Sequence, residues 1–398
     1  MAAIKYWLWL SSQEELSPKA KSAVIEHYGD AETAFFAPDG DFNNVTGISK
    51  RECEILEKRD TGRIDRIFEL CQLQGIDLIP MDDPRYPSRL KNIFAPPVLL
   101  YVKGSIDKLD EEVTVAVIGT RKATAYGIKM GKKMACDIAC QGGTVISLLT
   151  EGVDQAAAVG ALLGGGRCIG VLGVPIPQEL SALQMDIAAS GALISEYPPD
   201  AQIRKSNFRD RNRVAAGLAL AVTVIEAPEK SGTLLFAQEA LEQGKEIFAL
   251  PGNVDAPNSA GTNLMLKQGA RPATCAWDVL EDFQPMFPNV LRQTGSTVQI
   301  QETDEEKISK KPKNQPTKKK EIDNKKAKGY IDFQEQVAAL SPEQQRIISA
   351  IAQGNEHIDD IIEATEYSTA KVLSQLTVLE IKGIISRSAG KRIVLNMK

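Results

Sequence analysis

The stretch VTVAVIGTRKATAYGIKMGKKMACDIACQGGTVISLL, residues 113–149, carries two periodicities in succession. VTVAVIG (113–119) is a β-branched run closed by a glycine, and AYGIKMGKKMACDIACQGG (125–143) gathers its apolar residues on one helical face. TVISLL (144–149) returns to a strand pattern. The alternation continues downstream. EGVDQAAAVGALLGGG (151–166) reads as a helix ended by glycines, and RCIGVLG (167–173), GALISEYPP (191–199), LAVTVIEA (220–227) and KEIFALPGN (245–253) read as further strands. Strands apolar on both faces that alternate with helices predict a parallel sheet covered on both sides. Residues 113–286 are therefore expected to form a Rossmann-like, doubly wound α/β domain.

On either side of this domain the pattern changes. Residues 1–72 read as short helices divided by Gly, Pro and Asp, and VTGIS (45–49) looks like the turn of a helix-hairpin-helix, giving a helical SAM/helix-hairpin-helix-like module. Residues 73–112 carry prolines at 80, 84, 87, 96 and 97 and read as an extended connector ending in one strand, VLLYVKG. Residues 287–335 are rich in Lys, Glu and Pro with few apolar residues, which predicts a disordered linker. Residues 336–398 give three helical segments and two β-rich strands, the pattern of a winged helix. Its third helix is expected to bury Val372, Leu376 and Leu379 and to expose Lys371, Ser374 and Gln375. One lysine on a recognition face argues for protein contact or an accessory role rather than firm DNA binding.

With 47 Lys and Arg against 52 Asp and Glu, the chain has a formal net charge of −5, so any nucleic-acid site must be local. The opening residues MAAIKYWLWLSS and the apolar run 214–225 are too short to span a membrane, and no secretory leader is evident. Six cysteines form no CxxC pair, which fits a reducing cytoplasm. Cys136 and Cys140 lie one helical turn apart, but His27 and His357 sit in other segments, so no metal site is expected.

Three stretches of the α/β domain could hold an anion. VIGTRKATAYG (117–127) lacks the GxGxxG dinucleotide fingerprint, yet it brings Gly119, Thr120 and Arg121 to a strand end just before a helix N-terminus. NFRDRNRVAAG (207–217) puts Arg209, Arg211 and Arg213 at every second position after Lys205 and Phe208. Such arginines cannot all face one way on a helix, so some should enter a crevice and others pair with acids. Cations beside an exposed aromatic suit single-stranded nucleic acid, in which a base face is free to stack. EAPEKSGTLLFAQEAL (226–241) sets Lys230, Ser231 and Gly232 between a strand end and a helix start without being a Walker A loop. Neither histidine lies in this domain, so imidazole catalysis is unsupported.

Taken together, VIGTRKATAYG, SEYPP (195–199), the K…F…RNR arrangement at 205–213, VIEAPEKSGTL and ALPGN…GTN closely resemble the DNA-processing protein family DprA, also called Smf. The resemblance implies a cytoplasmic bacterial protein without enzymatic activity or cofactor that dimerises through its Rossmann-like domain. It further implies binding and protection of single-stranded DNA during natural transformation, and loading of the RecA recombinase. Carried over position by position, the implied DNA site comprises Gly119, Thr120 and Arg121, Lys205 and Phe208, Arg211, Asn212 and Arg213, and Lys230, Ser231 and Gly232. The chain departs from the family at 147–158, where SLLTEGVDQAAA stands for the usual SGLARGIDAAAH and introduces Leu148, Glu151 and Ala158. VPIPQEL (174–180) is likewise a shortened version of the family's segment. Glu151 either pairs with a site arginine or weakens DNA binding. Two other readings stand beside this one. A nucleotide phosphoribohydrolase resembling the LOG family would need PGGxGTxxE, whereas PGN (251–253), GT (232–233) and Glu239 are separated here. A purely structural interaction protein would have lost the site's chemistry.

Overall fold

The structure, a computed structural model, describes residues 4–293 and, in the C-terminal part, 342–352, 357–365, 367, 372, 376, 379, 385–388 and 392–395. The chain divides into two compact units, Met1–Pro312 and Lys313–Lys398.

The first unit is built on a nine-stranded sheet: β1 (Asp77–Pro80), β2 (Leu99–Gly104), β3 (Thr114–Ile118), β4 (Thr144–Ser147), β5 (Cys168–Leu172), β6 (Ala192–Ser195), β7 (Ala221–Val224), β8 (Glu246–Ala249) and β9 (Arg271–Pro272). Its order is β1-β2-β6-β5-β4-β3-β7-β8-β9, with every pair from β6 to β9 parallel. The chain thus winds outward from β3 to β6, then returns to the other side of β3 for β7. This reversal opens a crevice at the carboxyl ends of β3 and β7.

Helices α7 (Ala125–Cys140), α8 (Val153–Leu163), α9 (Ala182–Ser190) and α13 (Trp277–Leu280) pack on one face, and α6 (Ser88–Lys91), α10 (Lys205–Leu218), α11 (Gly232–Glu242) and α12 (Ala260–Lys267) on the other. The alternation of each strand assigns the faces. Val115 and Val117 pack with Met134, Ile138 and Ala157, while Ala116 and Ile118 pack with Val214, Ala215 and Phe236. Gly160 allows α8 to lie directly on α7, because a Cβ there would stand 2.1 Å from the Lys132 carbonyl oxygen.

The segment read as a connector contributes two strands to the sheet rather than one. β2 pairs antiparallel with β6, and β1 pairs antiparallel with β2 at the edge. Pro80 is tolerated there because an edge strand has one row of backbone groups without a ladder partner. The N-terminal helices α1 (Ile4–Ser12), α2 (Pro18–Tyr28), α3 (Ala31–Phe35), α4 (Lys50–Glu57) and α5 (Ile64–Gln74) share one continuous core with this sheet. The apolar start of the chain is explained by α1, where Trp7, Leu8, Trp9 and Leu10 are buried. Ser49 and Glu52 form a capping box at α4, just after Gly47, whose φ of 90° suits the VTGIS turn.

In the second unit, α14 (Pro342–Ala352), α15 (Ile358–Thr365) and the antiparallel pair β10 (Ile385–Ser388) and β11 (Arg392–Leu395) form the described part of a winged helix. Val372, Leu376 and Leu379 are helical and buried with Ile347, Ile361 and Ile393, as the sequence predicts. Of the expected linker, residues 287–293 belong instead to the first unit, where Leu291 is buried in the core with Phe287 and Val290 packed beside it and the Arg292 N–H donates to the Gln141 carbonyl at 3.0 Å. Residues 294–335 and the exposed positions Lys371, Ser374 and Gln375 lie outside the described residues.

Candidate nucleic-acid interface

The turn after β3 is held by its backbone. Gly119 donates its N–H to Asp154 Oδ1 at 3.0 Å, Thr120 donates to the Glu226 carbonyl at 2.8 Å, and the Thr120 hydroxyl accepts from the Lys122 N–H at 3.2 Å. Gly119 has to be small, since a Cβ would meet Val153 at 2.6 Å. Gly152, with φ of 87°, brings the loop after β4 against the Thr120 and Arg121 carbonyls. With the turn fixed, Arg121 points out: it is exposed and makes no hydrogen bond or ion pair among the described residues.

Two buried carboxylates organise this turn. Asp154 accepts from Gly119 and, at 2.6 Å, from the Thr150 hydroxyl; burial pushes its carboxyl up to about 6, against the pull of these donors and of Arg211. Glu226, only 3% exposed, accepts from the Thr124 N–H at 2.9 Å and the Thr124 hydroxyl at 2.5 Å at the start of α7. Asn258 donates to Glu226 at 3.4 Å and to the Lys122 carbonyl at 2.9 Å, so the loop after β8 is tied to the same point.

Helix α10 starts at this carboxyl edge and runs back under the sheet. Lys205 is exposed and unpaired among the described residues. Phe208 is 44% exposed, its ring resting at Gly173 in the loop after β5, where a Cβ would come within 3.0 Å. Arg209 is exposed. Arg211 and Arg213 are not on the surface. Arg211 donates to the Leu148 carbonyl beyond β4 at 3.0 Å and to Asn212 Oδ1 at 3.2 Å; burial lowers its pKa, with Asp154 opposing. Arg213 directs Nη2 to both oxygens of Glu196 beyond β6, each at 2.6 Å. By then the helix has passed beneath the sheet edge, so guanidinium groups here serve packing and pairing rather than solvent. Arg213 thus pairs with an acid, as expected for one of the three, whereas Arg211, expected at the DNA site, is buried and bonded to a backbone carbonyl instead.

Beyond β7, Lys230 is exposed without a partner among the described residues. Ser231 occupies the N-cap of α11 without making a capping bond, and its buried hydroxyl has no hydrogen-bond partner. Nothing lies within 4 Å of a Cβ at Gly232, so the helix N-terminus is open to solvent. Arg121 and Lys230 therefore flank the β3–β7 crevice, with Lys205 and Phe208 further along the same edge. Glu151 is exposed and pairs with none of these cations. Two cavities, of about 490 and 370 Å³, lie between the N-terminal helices and the loop after β6, and the second extends to the start of α10 at Ser206, Asn207 and Arg209. Their linings mix acids and bases, including Glu14, Asp200, Arg63 and Arg204 in the first and Lys21 and Glu196 in the second.

Sequence reasoning missed Asp154, Glu196, Glu226 and Asn258. A signal existed for Glu226: an acid placed directly after the β-branched strand AVTVI, which reads as buried core, is itself expected to be enclosed, and a buried acid needs donors. As for the LOG-like alternative, Glu239 spends a carboxylate oxygen on Gln243 within α11, two turns from Gly232.

Fold and edge together define a doubly wound α/β protein that displays unpaired cations at its topological switch point. The pattern of the family described as DNA recombination-mediator protein A matches residues 77–284, and that described as the DprA winged helix domain matches 333–391. The chain belongs to the DNA recombination-mediator protein A family, DprA/Smf. It is 34% identical over 224 residues to DNA processing protein DprA of Bacillus subtilis, covering 55% of this chain and 75% of that one. It is 29% identical over 403 residues to Protein Smf of Synechocystis sp., covering 97% of each. The X-ray structure of DNA processing protein A from Streptococcus pneumoniae superposes with a TM-score of 0.61 at 30% identity, covering 70% of this chain and 97% of that one.

Proposed function

We propose that this chain binds single-stranded DNA at the carboxyl edge of its sheet, and that it protects the strand and assists loading of the RecA recombinase onto it during DNA uptake. The observation that carries the reading is the contrast between Arg121, Lys205 and Lys230, which are exposed and unpaired, and Arg211 and Arg213, which are buried and bonded. On a molecule of net charge −5, unpaired cations gathered along one edge offer phosphates a local site. The half-exposed Phe208 ring gives a base a stacking face that a duplex could not use. In this reading Asn212 and the backbone N–H groups at the open Ser231–Gly232 N-cap add hydrogen bonds at the rim, Thr120 stays within the turn it holds, and Arg211 and Arg213 hold α10 in place. Dimerisation through the Rossmann-like domain belongs to the same proposal and is supported by Leu235 and Leu241, both exposed on α11. The protein acts without catalysis, in the cytoplasm.

Fluorescence titration of the full chain with a labelled oligothymidine and with a duplex of equal length tests the proposal. Tighter binding of the single strand, falling steeply with salt, is the expected result. Equal affinity for the two forms would overturn it.

A further inference from the structure

Glu226 is a buried carboxylate that no lysine or arginine pairs with among the described residues. Leaving carboxyl oxygens unpaired in the interior is costly, so the groups around Glu226 must satisfy them with hydrogen bonds. They are all donors at the switch point: the N–H and hydroxyl of Thr124 and the amide of Asn258. Thr124 is the N-cap of the 16-residue α7, where the helix dipole favours a negative charge. Gly127, in the first turn, is shaped to this carboxylate, because a Cβ there would lie 2.2 Å from Glu226 Oε2. The backbone of the same residue holds the other end of the turn, its carbonyl accepting from Thr120.

Resting on the proposed DNA reading, we infer that Glu226 is a positioning residue: it occupies the anion position at the α7 N-terminus, locks the 119–124 turn and thereby presents Arg121 to DNA phosphate. The carboxylate takes the place that a dinucleotide's pyrophosphate takes in a nucleotide-binding sheet of this topology. Phosphates of a bound strand are consequently confined to the rim, where Arg121 and Lys230 stand.

The sign of the effect tests the role. If Glu226 acted only as a nearby negative charge, its removal would tighten DNA binding. As a positioning residue, its removal weakens binding. For the full chain titrated with labelled oligothymidine, Glu226→Ala is expected to lose about tenfold in affinity and to flatten the log–log salt slope by about 0.7, one phosphate contact. Glu226→Gln keeps an oxygen for the Thr124 N–H and should stay within about threefold of the parent. Should Glu226→Ala fold poorly, Glu226→Ala combined with Gly127→Ala fills the vacated space with a methyl group and is expected to restore the thermal midpoint without restoring affinity. Unchanged or tighter binding by Glu226→Ala, or by the double variant where the single one does not fold, would overturn the inference. Arg121→Ala separates the two levels of argument. If that variant binds like the parent, the DNA site itself is wrongly drawn; if it binds weakly and Glu226→Ala does not, only the positioning role fails.

Discussion

Replacing Arg121 and Lys230 together with alanine should change the salt dependence of DNA binding in a way that replacing Arg213 does not. Among the site cations, Arg121, Lys205 and Lys230 are exposed without partners, so each is free to neutralise a phosphate. With three contacts the log–log slope for a single strand is about −2.1, and raising salt from 50 to 200 mM weakens binding by about 18-fold. With Lys205 alone the slope is about −0.7 and the same change in salt costs about 2.6-fold. Arg213 is 6% exposed and already committed to Glu196, so Arg213→Ala should leave the slope near the parent value. It should instead lower stability, because the partly buried Glu196 side chain would lose both hydrogen bonds from Arg213 and the enclosed guanidinium would leave a void. Fluorescence anisotropy across four salt concentrations, with denaturant unfolding of the same samples, reads both effects. A slope that falls equally in Arg213→Ala and in the double variant would refute the division of these cations into exposed and structural sets.

Glu196→Ala should cost about 3–5 kcal/mol of unfolding free energy, since Nε and Nη1 of Arg213 already have no hydrogen-bond partner and Nη2 would lose both of its own; guanidinium denaturation checks it, and a loss below about 1 kcal/mol would count against a buried pair. Asp154 sets a pH dependence. Its folded-state value of about 6 lies above the ordinary 3.8, so its protonated form contributes stability that is fully present below about pH 4 and lost as pH rises through 6. The rise from 3.8 to about 6 corresponds to about 3 kcal/mol, most of which should appear as a change in the stability difference between the parent and Asp154→Asn from pH 4 to 7; parallel curves would contradict it. Gly160→Ala should destabilise the first unit by several kcal/mol, because the new methyl meets the Lys132 backbone of α7 at 2.1 Å, and a thermal midpoint equal to the parent's would show that α7 and α8 can separate freely. Incubation with AMP should release no adenine; steady turnover would favour the phosphoribohydrolase reading instead.

The parallel core of the fold was legible because β3 to β8 are apolar on both faces and α7 and α8 are amphipathic, so local pattern and final packing agree. β1 was not legible. Four residues, DLIP, ending in proline carry too little periodicity, and their strand character comes from pairing with β2, a contact more than twenty residues away in sequence. The shared core of α1 with the sheet escaped for the same reason, since IKYWLWL shows burial without showing against what.

The site divides along a physical line. Residue type and position at a strand end sufficed to expect Arg121 and Lys230 exposed at the edge, because a loop at the carboxyl edge of a parallel sheet is exposed wherever it lacks an acid to fold back on. For the arginines of α10 the sequence supplies the period but not the phase. Arg209 and Arg213 are one turn apart on the same stripe, yet the first is exposed and the second buried, because the helix passes from the rim to the underside of the sheet between them. What fixes that crossing is the reach of Glu196 from β6 and of the Leu148 carbonyl from β4. Both lie outside α10 in sequence, so a charge pattern read along one helix shows that its cations must part company and leaves their destinations to the tertiary partners. Exposure, rather than the presence of an arginine, therefore has to decide which of these groups meets a phosphate, and the salt slopes of the single variants measure that exposure directly.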